Sequence, residues 1–167
     1  MKFEDLEEVC DFDLDDYFKF YKYVKSNMEN KDWLSDMSRE VVSEIINEGG
    51  KIFLYTFQDE IVCSMMYIPT NNKSLKKYDI NYDCNIVASC GPMLVSPKYI
   101  GNKLQLAMLK RLDRYASLLG KTYIFTKASP DNIYSINNII DDGYQFIKTY
   151  KSSHGSFKNI YLKKLGD

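Results

Sequence analysis

A mixed α/β layered fold, with elements in the order ααβββαβαββ, is what this 167-residue chain predicts. Three features point there. The stretch Leu104–Leu119 places Leu104, Met108, Leu112, Tyr115 and Leu119 on one face at helical spacing. It lies between two strand-like runs, Asn85–Val95 and Thr122–Thr126, and such a strand–helix–strand crossover is parallel if its strands are neighbours. The other apolar segments alternate between helical and strand periods with no repeat, low-complexity tract or linker, and the length suits a single domain over residues 1–167.

In chain order, Asp13–Met28 reads as the first helix, with Leu14, Phe18, Tyr21 and Val24 or Lys25 at helical spacing. Ser38–Glu48 is the second. Ser38 is placed to cap it, Val41, Val42, Ile45 and Ile46 form its stripe, and Gly49-Gly50 ends it. Lys51–Phe57 and Glu60–Ile68 follow as strands joined by Gln58-Asp59. Pro69–Asp83 is a polar, lysine-bearing connection, either a solvated excursion or a functional loop. Gly91-Pro92 interrupts the strand Asn85–Val95. Pro cannot donate to a ladder, so the pair implies a bulge or a strand edge. Gly120 stops the helix Leu104–Leu119, and Thr122–Thr126 is an apolar run suited to a strand covered on both faces. A short helix is predicted over Pro130–Asp142, capped by Ser129, with Pro130 at its first position and Gly143 beyond its end. Tyr144–Lys151 and Phe157–Lys164 are the last strands, around the turn at 152–156.

Charge and composition narrow the partners. A net charge of −1 gives no electrostatic footprint for nucleic acid or an anionic membrane. No apolar run approaches the roughly 20 residues that span a bilayer. Cys10, Cys63, Cys84 and Cys90 show no C-x-x-C spacing and His154 is the only histidine, so no metal site is expected and the thiols read as free. The acidic start Met1–Asp5 lacks the basic-then-apolar order of a signal peptide. The expectation is a cytoplasmic protein, monomer or homodimer, with no nucleic-acid, membrane or metal partner. Arg39, Arg111 and Arg114 are the only arginines, which leaves few bidentate clamps for phosphate.

The turn from strand to helix at 95–105 carries the most chemical information. Gly101 permits unusual backbone angles and close approach of a ligand. Asn102 and Gln105 fit a variant capping box, and the helix N-terminus offers free amides and a positive dipole end. Lys98 and Lys103 add positive charge. On this stretch alone, a structural corner and a phosphate cradle both fit.

The residues Val95-x-Pro97-x-Tyr99-x-Gly101, followed by a helix, resemble the acetyl-CoA signature of the GNAT superfamily of acyl-CoA N-acyltransferases. Asn132-Ile-Tyr-Ser135 together with Gly143-Tyr144 resembles that superfamily's second signature, and the element order from about residue 12 to 165 is similar as well. The resemblance implies acetyl-CoA as cosubstrate. It implies that the backbone of Met93, Leu94 and Val95 holds the pantetheine arm, and that Thr122–Thr126 splays from its parallel neighbour to open the thioester slot. It makes the amides of Ile100, Gly101, Asn102, Lys103, Leu104 and Gln105 the pyrophosphate cradle, with Asn132 and Ser135 as further contacts to the arm. The chain departs from the pattern at Ile100, commonly Arg or Gln, and at Lys103 and Gln105, commonly Gly. It departs again at Ile139, where many members carry a Tyr that protonates the leaving thiolate.

The implied chemistry needs a protonated amine to lose its proton, attack a thioester and expel a thiolate. A backbone amide near Met93 can hold the carbonyl oxygen. Tyr134 and His154 are the candidate proton carriers, with Cys90 and Tyr150 as further ones; an exposed turn is the simpler account of His154, a small core residue that of Cys90, and ring packing an alternative for Tyr134. The leading reading is an N-acetyltransferase acting on a primary amine of a small molecule or peptide. A non-catalytic acyl-CoA-sensing module and a structural domain without CoA are the alternatives. Asp11, Asp13, Asp15 and Asp16 either draw a cationic amine or simply suit a helix N-terminus.

Overall fold

The computed structural model describes residues 1–166. Its strands are β1 (Glu7–Val9), β2 (Lys51–Phe57), β3 (Glu60–Pro69), β4 (Val87–Cys90), β5 (Leu94–Val95), β6 (Tyr123–Ala128), β7 (Gln145–Lys151) and β8 (Phe157–Lys164). Its α-helices are α1 (Leu14–Ser26), α2 (Arg39–Asn47), α3 (Asn72–Lys77), α4 (Leu104–Leu118) and α5 (Ile133–Asp141). All strands join one sheet in the order β1-β2-β3-β4-β6-β8-β7, with β5 also paired to β3. Only β4 and β6 are parallel, as the crossover through α4 requires.

The hairpin between β2 and β3 turns on Gln58 and Asp59, both with positive φ, the twist that matches a two-residue connection. Ser38 caps α2 by accepting from the Val41 amide, as its sequence suggests. Four features differ from the sequence expectation. β1 is an additional edge strand, and its Glu8 lies beside Lys51 and Arg111 at 3.6 and 3.4 Å. The connection after β3 contains α3, capped by Asn71. Helix α5 begins at Ile133 with Asn132 as its cap, and the Ser129 hydroxyl accepts from Lys158. The capping box at the start of α4 does not form. Lys103, in a left-handed conformation, is the N-cap residue, and no side chain caps the helix.

Two layers cover the sheet. On one face α4 and α5 bury Leu104, Met108, Leu112 and Ile139 against Phe53, Met65 and Ile124. On the other face, α1 and α2 place Tyr17, Tyr21, Val24 and Val42 over Leu54, Met66 and Leu94. A separate cluster on that face, built on α3, packs Leu75, Tyr78 and Ile80 against Val87, Phe125 and Ile160. Cys63 and Cys90 are buried, and burial pushes both thiols up to about 12, so they behave as small apolar residues. Among the described residues no helix is long and apolar enough to cross a membrane.

Beneath α4 and α5 lies a buried polar cluster. Tyr144 donates to Asp113 at 3.2 Å, and Lys163 donates to Asp113 and Asp142 at 2.5 and 3.0 Å. Burial raises the Asp113 carboxyl from 3.8 to about 6; Asp142 adds to the rise and Lys163 opposes it. Between about pH 4 and 6 the native state therefore holds a proton that the unfolded chain releases, and stability falls as pH rises through that window. Replacing Asp113 with Asn is expected to remove this fall. Denaturant melts at pH 4 and pH 7 should show the parent losing roughly 1–3 kcal/mol relative to the variant.

Candidate active site

The site starts from a break in strand pairing. β4 pairs with β6 only over Val87–Tyr123, Ala88–Ile124 and Ser89–Phe125. Past that point Gly91, Pro92 and Met93 stand opposite only Met65 and Met66 of β3, a one-residue bulge. The position favours glycine, since a Cβ on Gly91 would lie 2.7 Å from the tip of the Ile68 side chain and 3.0 Å from the Met66 Cβ. β5 then resumes pairing with β3 alone, and residues 126–128 of β6 pair with β8 alone. The facing edges of β5 and β6 thus carry backbone amides and carbonyls with no strand partner, which is a slot suited to an extended amide-bearing chain.

The loop leaving β5 leads into the uncapped start of α4. With Lys103 left-handed and no side-chain cap, the amides of Leu104, Gln105 and Leu106 have no intrahelical partner. Gly101 has φ +90°, and a Cβ there would meet nothing within 4 Å, so the space before it is open. Leu104 anchors the helix start in the core at 2% exposure, while Ile100 points outward. The Asn102 amide turns back to the Tyr99 carbonyl at 2.9 Å. Lys98 is bound to Glu60, so of the two predicted lysines only Lys103 is without an ion pair among the described residues.

The second predicted motif adjoins the first. Gln105 donates to Ser135 at 2.7 Å and accepts from Asn138 at 3.0 Å, tying α4 to α5. Asn132 accepts from the Ser135 amide at 3.1 Å, so its carbonyl oxygen caps α5 and its amide NH2 is what remains for a ligand. Val95 turns its backbone groups away from β3 toward the slot, with Met93 in the bulge before it, whereas Leu94 is in the register of Ser96, whose amide bonds Val62, and so gives its backbone groups to β3. The structure therefore brings the predicted cofactor residues together along one path, from the bulge through the α4 start to α5.

The predicted proton carriers are not gathered there. Tyr134 is 71% exposed, with its ring edge-on to Trp33 at 6.4 Å. His154 is exposed on the β7–β8 turn and makes no hydrogen bond among the described residues. Cys90 lies in the core. Ile139, at the position of the family's acid, is 1% exposed and part of the main core. The predicted acidic group disperses as well. Asp13 caps α1 and Asp15 pairs with Arg39, while Asp11 and Asp16 line an open groove of about 660 Å³ between α1 and the β2–β3 hairpin. The groove reaches Ser96 and Lys98, just past β5, and no residue of β6 lines it.

Sequence reasoning missed Lys158. Its ammonium, on a residue 8% exposed, donates to the Ser129 hydroxyl at 2.8 Å and to the carbonyls of Asp32 and Trp33 at 3.0 and 3.4 Å. It pins the turn at Lys31–Trp33, which follows α1, to the end of β6. Burial lowers its pKa, with the nearby Lys127 adding to the fall. One signal was present: Lys158 sits two residues before buried Ile160, on the inward register of β8.

No family model matches the chain, and no curated protein does. Solved structures match along nearly its whole length. An N-acetyltransferase from Staphylococcus aureus is 13% identical, with 96% of this chain and 99% of that one covered at a TM-score of 0.71. The ribosomal-protein-S18-alanine N-acetyltransferase of Escherichia coli is 12% identical, with 97% and 95% covered at 0.69. A GNAT family acetyltransferase from Elizabethkingia anophelis with acetyl-CoA bound is 10% identical, with 97% and 99% covered at 0.69. The chain has the GNAT fold.

Gly101→Val tests the path directly. At φ +90° a β-branched residue costs about 1–2 kcal/mol of stability and places methyl groups in the open space before the α4 amides. Circular dichroism should show a folded variant, and calorimetry should show CoA binding weakened by about tenfold or more. A folded variant that binds CoA as tightly as the parent would rule out this path.

Proposed function

We propose that this protein transfers an acetyl group from acetyl-CoA to a primary amine of a small molecule or peptide. The observation that carries this reading is the unpaired slot between β5 and β6 leading to the uncapped start of α4. Solved structures of the same fold include two N-acetyltransferases and a GNAT family acetyltransferase with acetyl-CoA bound. The slot edges and the α4 amides fit the cosubstrate: an amide-bearing arm takes the place of a strand, and a pyrophosphate suits a helix N-terminus with open space before it. Acetyl-CoA supplies the activated acyl carbon and a thiol leaving group.

The protein's own part is placement. With Pro92 lacking an amide and the Gly91 amide bound to Met66, the Met93 amide is the bulge donor left to stabilise charge that develops on a carbonyl oxygen. α4 and α5 close one side, so the amine approaches from the side of α1 and α3. Ile139 offers no proton, and neither Tyr134 nor His154 is held at the slot. Water is therefore the carrier that this arrangement favours for removing the amine proton and meeting the thiolate. The absence of a fixed acid at residue 139 also favours a second reading, an acyl-CoA-sensing module without turnover.

Two measurements separate these readings. Acetyl-CoA at a hundredfold its dissociation constant should add about 2.7 kcal/mol of stability, seen as a raised melting temperature; an unmoved melt rejects both. Thiol release with a panel of primary amines supports transfer, and binding without release supports sensing. Ile139→Tyr should cost about 1–3 kcal/mol through overpacking, because residue 139 is core.

A further inference from the structure

On the side of the sheet away from α4, the end of β6 carries Lys127. Side chains alternate along the strand: Ile124 and Ala128 belong to the α4 core, whereas Phe125 belongs to the α3 cluster. Lys127 therefore projects to the α3 side, from the stretch of β6 beyond its last pair with β4. It donates to the Tyr78 hydroxyl at 3.2 Å, with its ammonium 5.2 Å from the centre of that ring. Tyr78 meets Tyr150 edge-on at 5.2 Å. A second ammonium, that of Lys77, lies 4.9 Å from the Tyr150 ring centre and 5.8 Å from that of Tyr78.

Two ammonium groups thus share one tyrosine pair. Among the described residues neither forms an ion pair, since Asp79 beside them is taken by Lys148 at 2.6 Å. Lys127 is solvent-accessible, yet protein atoms crowd its ammonium enough that desolvation lowers its pKa, with Lys77 adding to the fall and Tyr150 opposing it. Like charges held together there are relieved by an anion, and two ammonium groups with tyrosine hydroxyls are a donor set for oxyanions. Lys158 is committed to Ser129 and two carbonyls and Lys148 to Asp79, which leaves Lys77 and the remaining protons of Lys127 as donors.

We propose that the acceptor is an amine that also carries an oxyanion, a carboxylate or a phosphate-like group, held by Lys127 and Lys77 beside the Tyr78–Tyr150 pair. The proposal rests on the acetyltransferase reading for the word acceptor, while the oxyanion site itself stands on the lysine–tyrosine geometry. Lys127 lies two residues beyond Phe125, the last residue of β6 paired to β4. At about 3.3 Å per residue, its Cα is within roughly 7 Å of the point where the slot opens. An oxyanion there would direct an amine on the same small molecule toward the slot.

Calorimetric titration with inorganic phosphate at constant ionic strength tests the site without turnover. Saturable binding that persists in Gly101→Val and is lost in folded Lys127→Gln or Lys77→Gln supports the proposal. No saturable binding, or binding unchanged in both lysine variants, overturns it. The kinetic arm compares matched amines bearing a carboxylate, a phosphonate or a neutral amide. The parent should favour one of the anionic forms by about 10- to 100-fold in kcat/KM, and Lys127→Gln should reduce that preference to within about threefold. Equal use of the neutral amide overturns the assignment to the acceptor. If no amine is acetylated, the transferase reading fails while the phosphate titration still decides the oxyanion site.

Discussion

The refusal of β5 and β6 to pair is the constraint on which the rest of the molecule depends. Each strand is held by its other edge: β5 to β3, reinforced by the Ser96 amide bonding the Val62 carbonyl at 2.8 Å, and β6 to β8 along its whole length. The gap between them is therefore fixed from both sides and is no frayed end. Its origin is the one extra residue at Gly91–Met93. Pro92 has no amide to offer a ladder, and Gly91 permits the bulge to press on Ile68. An open edge inside a sheet is costly unless something polar lies along it, and this ties the bulge to ligand binding.

The helices complete what the gap begins. β5 runs through a short loop into α4, so the same bulge that opens the slot sets the position of the free α4 amides. Gln105 then links α4 to α5 through Ser135 and Asn138, so the two helices that close one side act as a unit. On the other side Lys158 fastens the turn after α1 to the end of β6. The two sides differ in chemistry: backbone and neutral side chains on one, lysines and tyrosines on the other.

What the sequence discloses follows from whether the signal is local. Gly91-Pro92, the apolar stripe of α4 and the strand Phe157–Lys164 are legible because the residues that define them lie within the element. β1 is not, since Glu7-Glu8-Val9 becomes a strand only by lying along β2 with Lys51 and Arg111 near its acids. The start of α5 is misread: Ser129, a sound local cap, accepts from Lys158 across the fold, and Asn132 caps the helix. The same rule divides the site. The cofactor side we propose rests on backbone conformation that Gly101 and the bulge announce in sequence. The oxyanion site we propose rests on Lys77 and Lys127, which are far apart along the chain and look like any other lysines until the fold brings them to one tyrosine pair.

The burial of Cys63 and Cys90 bears on how this protein can be studied. Their thiols are shielded and held protonated, so a colour-forming disulfide reagent meets mainly Cys10, which is exposed, and in part Cys84. Free CoA can thus be counted in the presence of folded protein against a small, fixed background. A rise of that background toward four thiols per chain would report unfolding in the same cuvette.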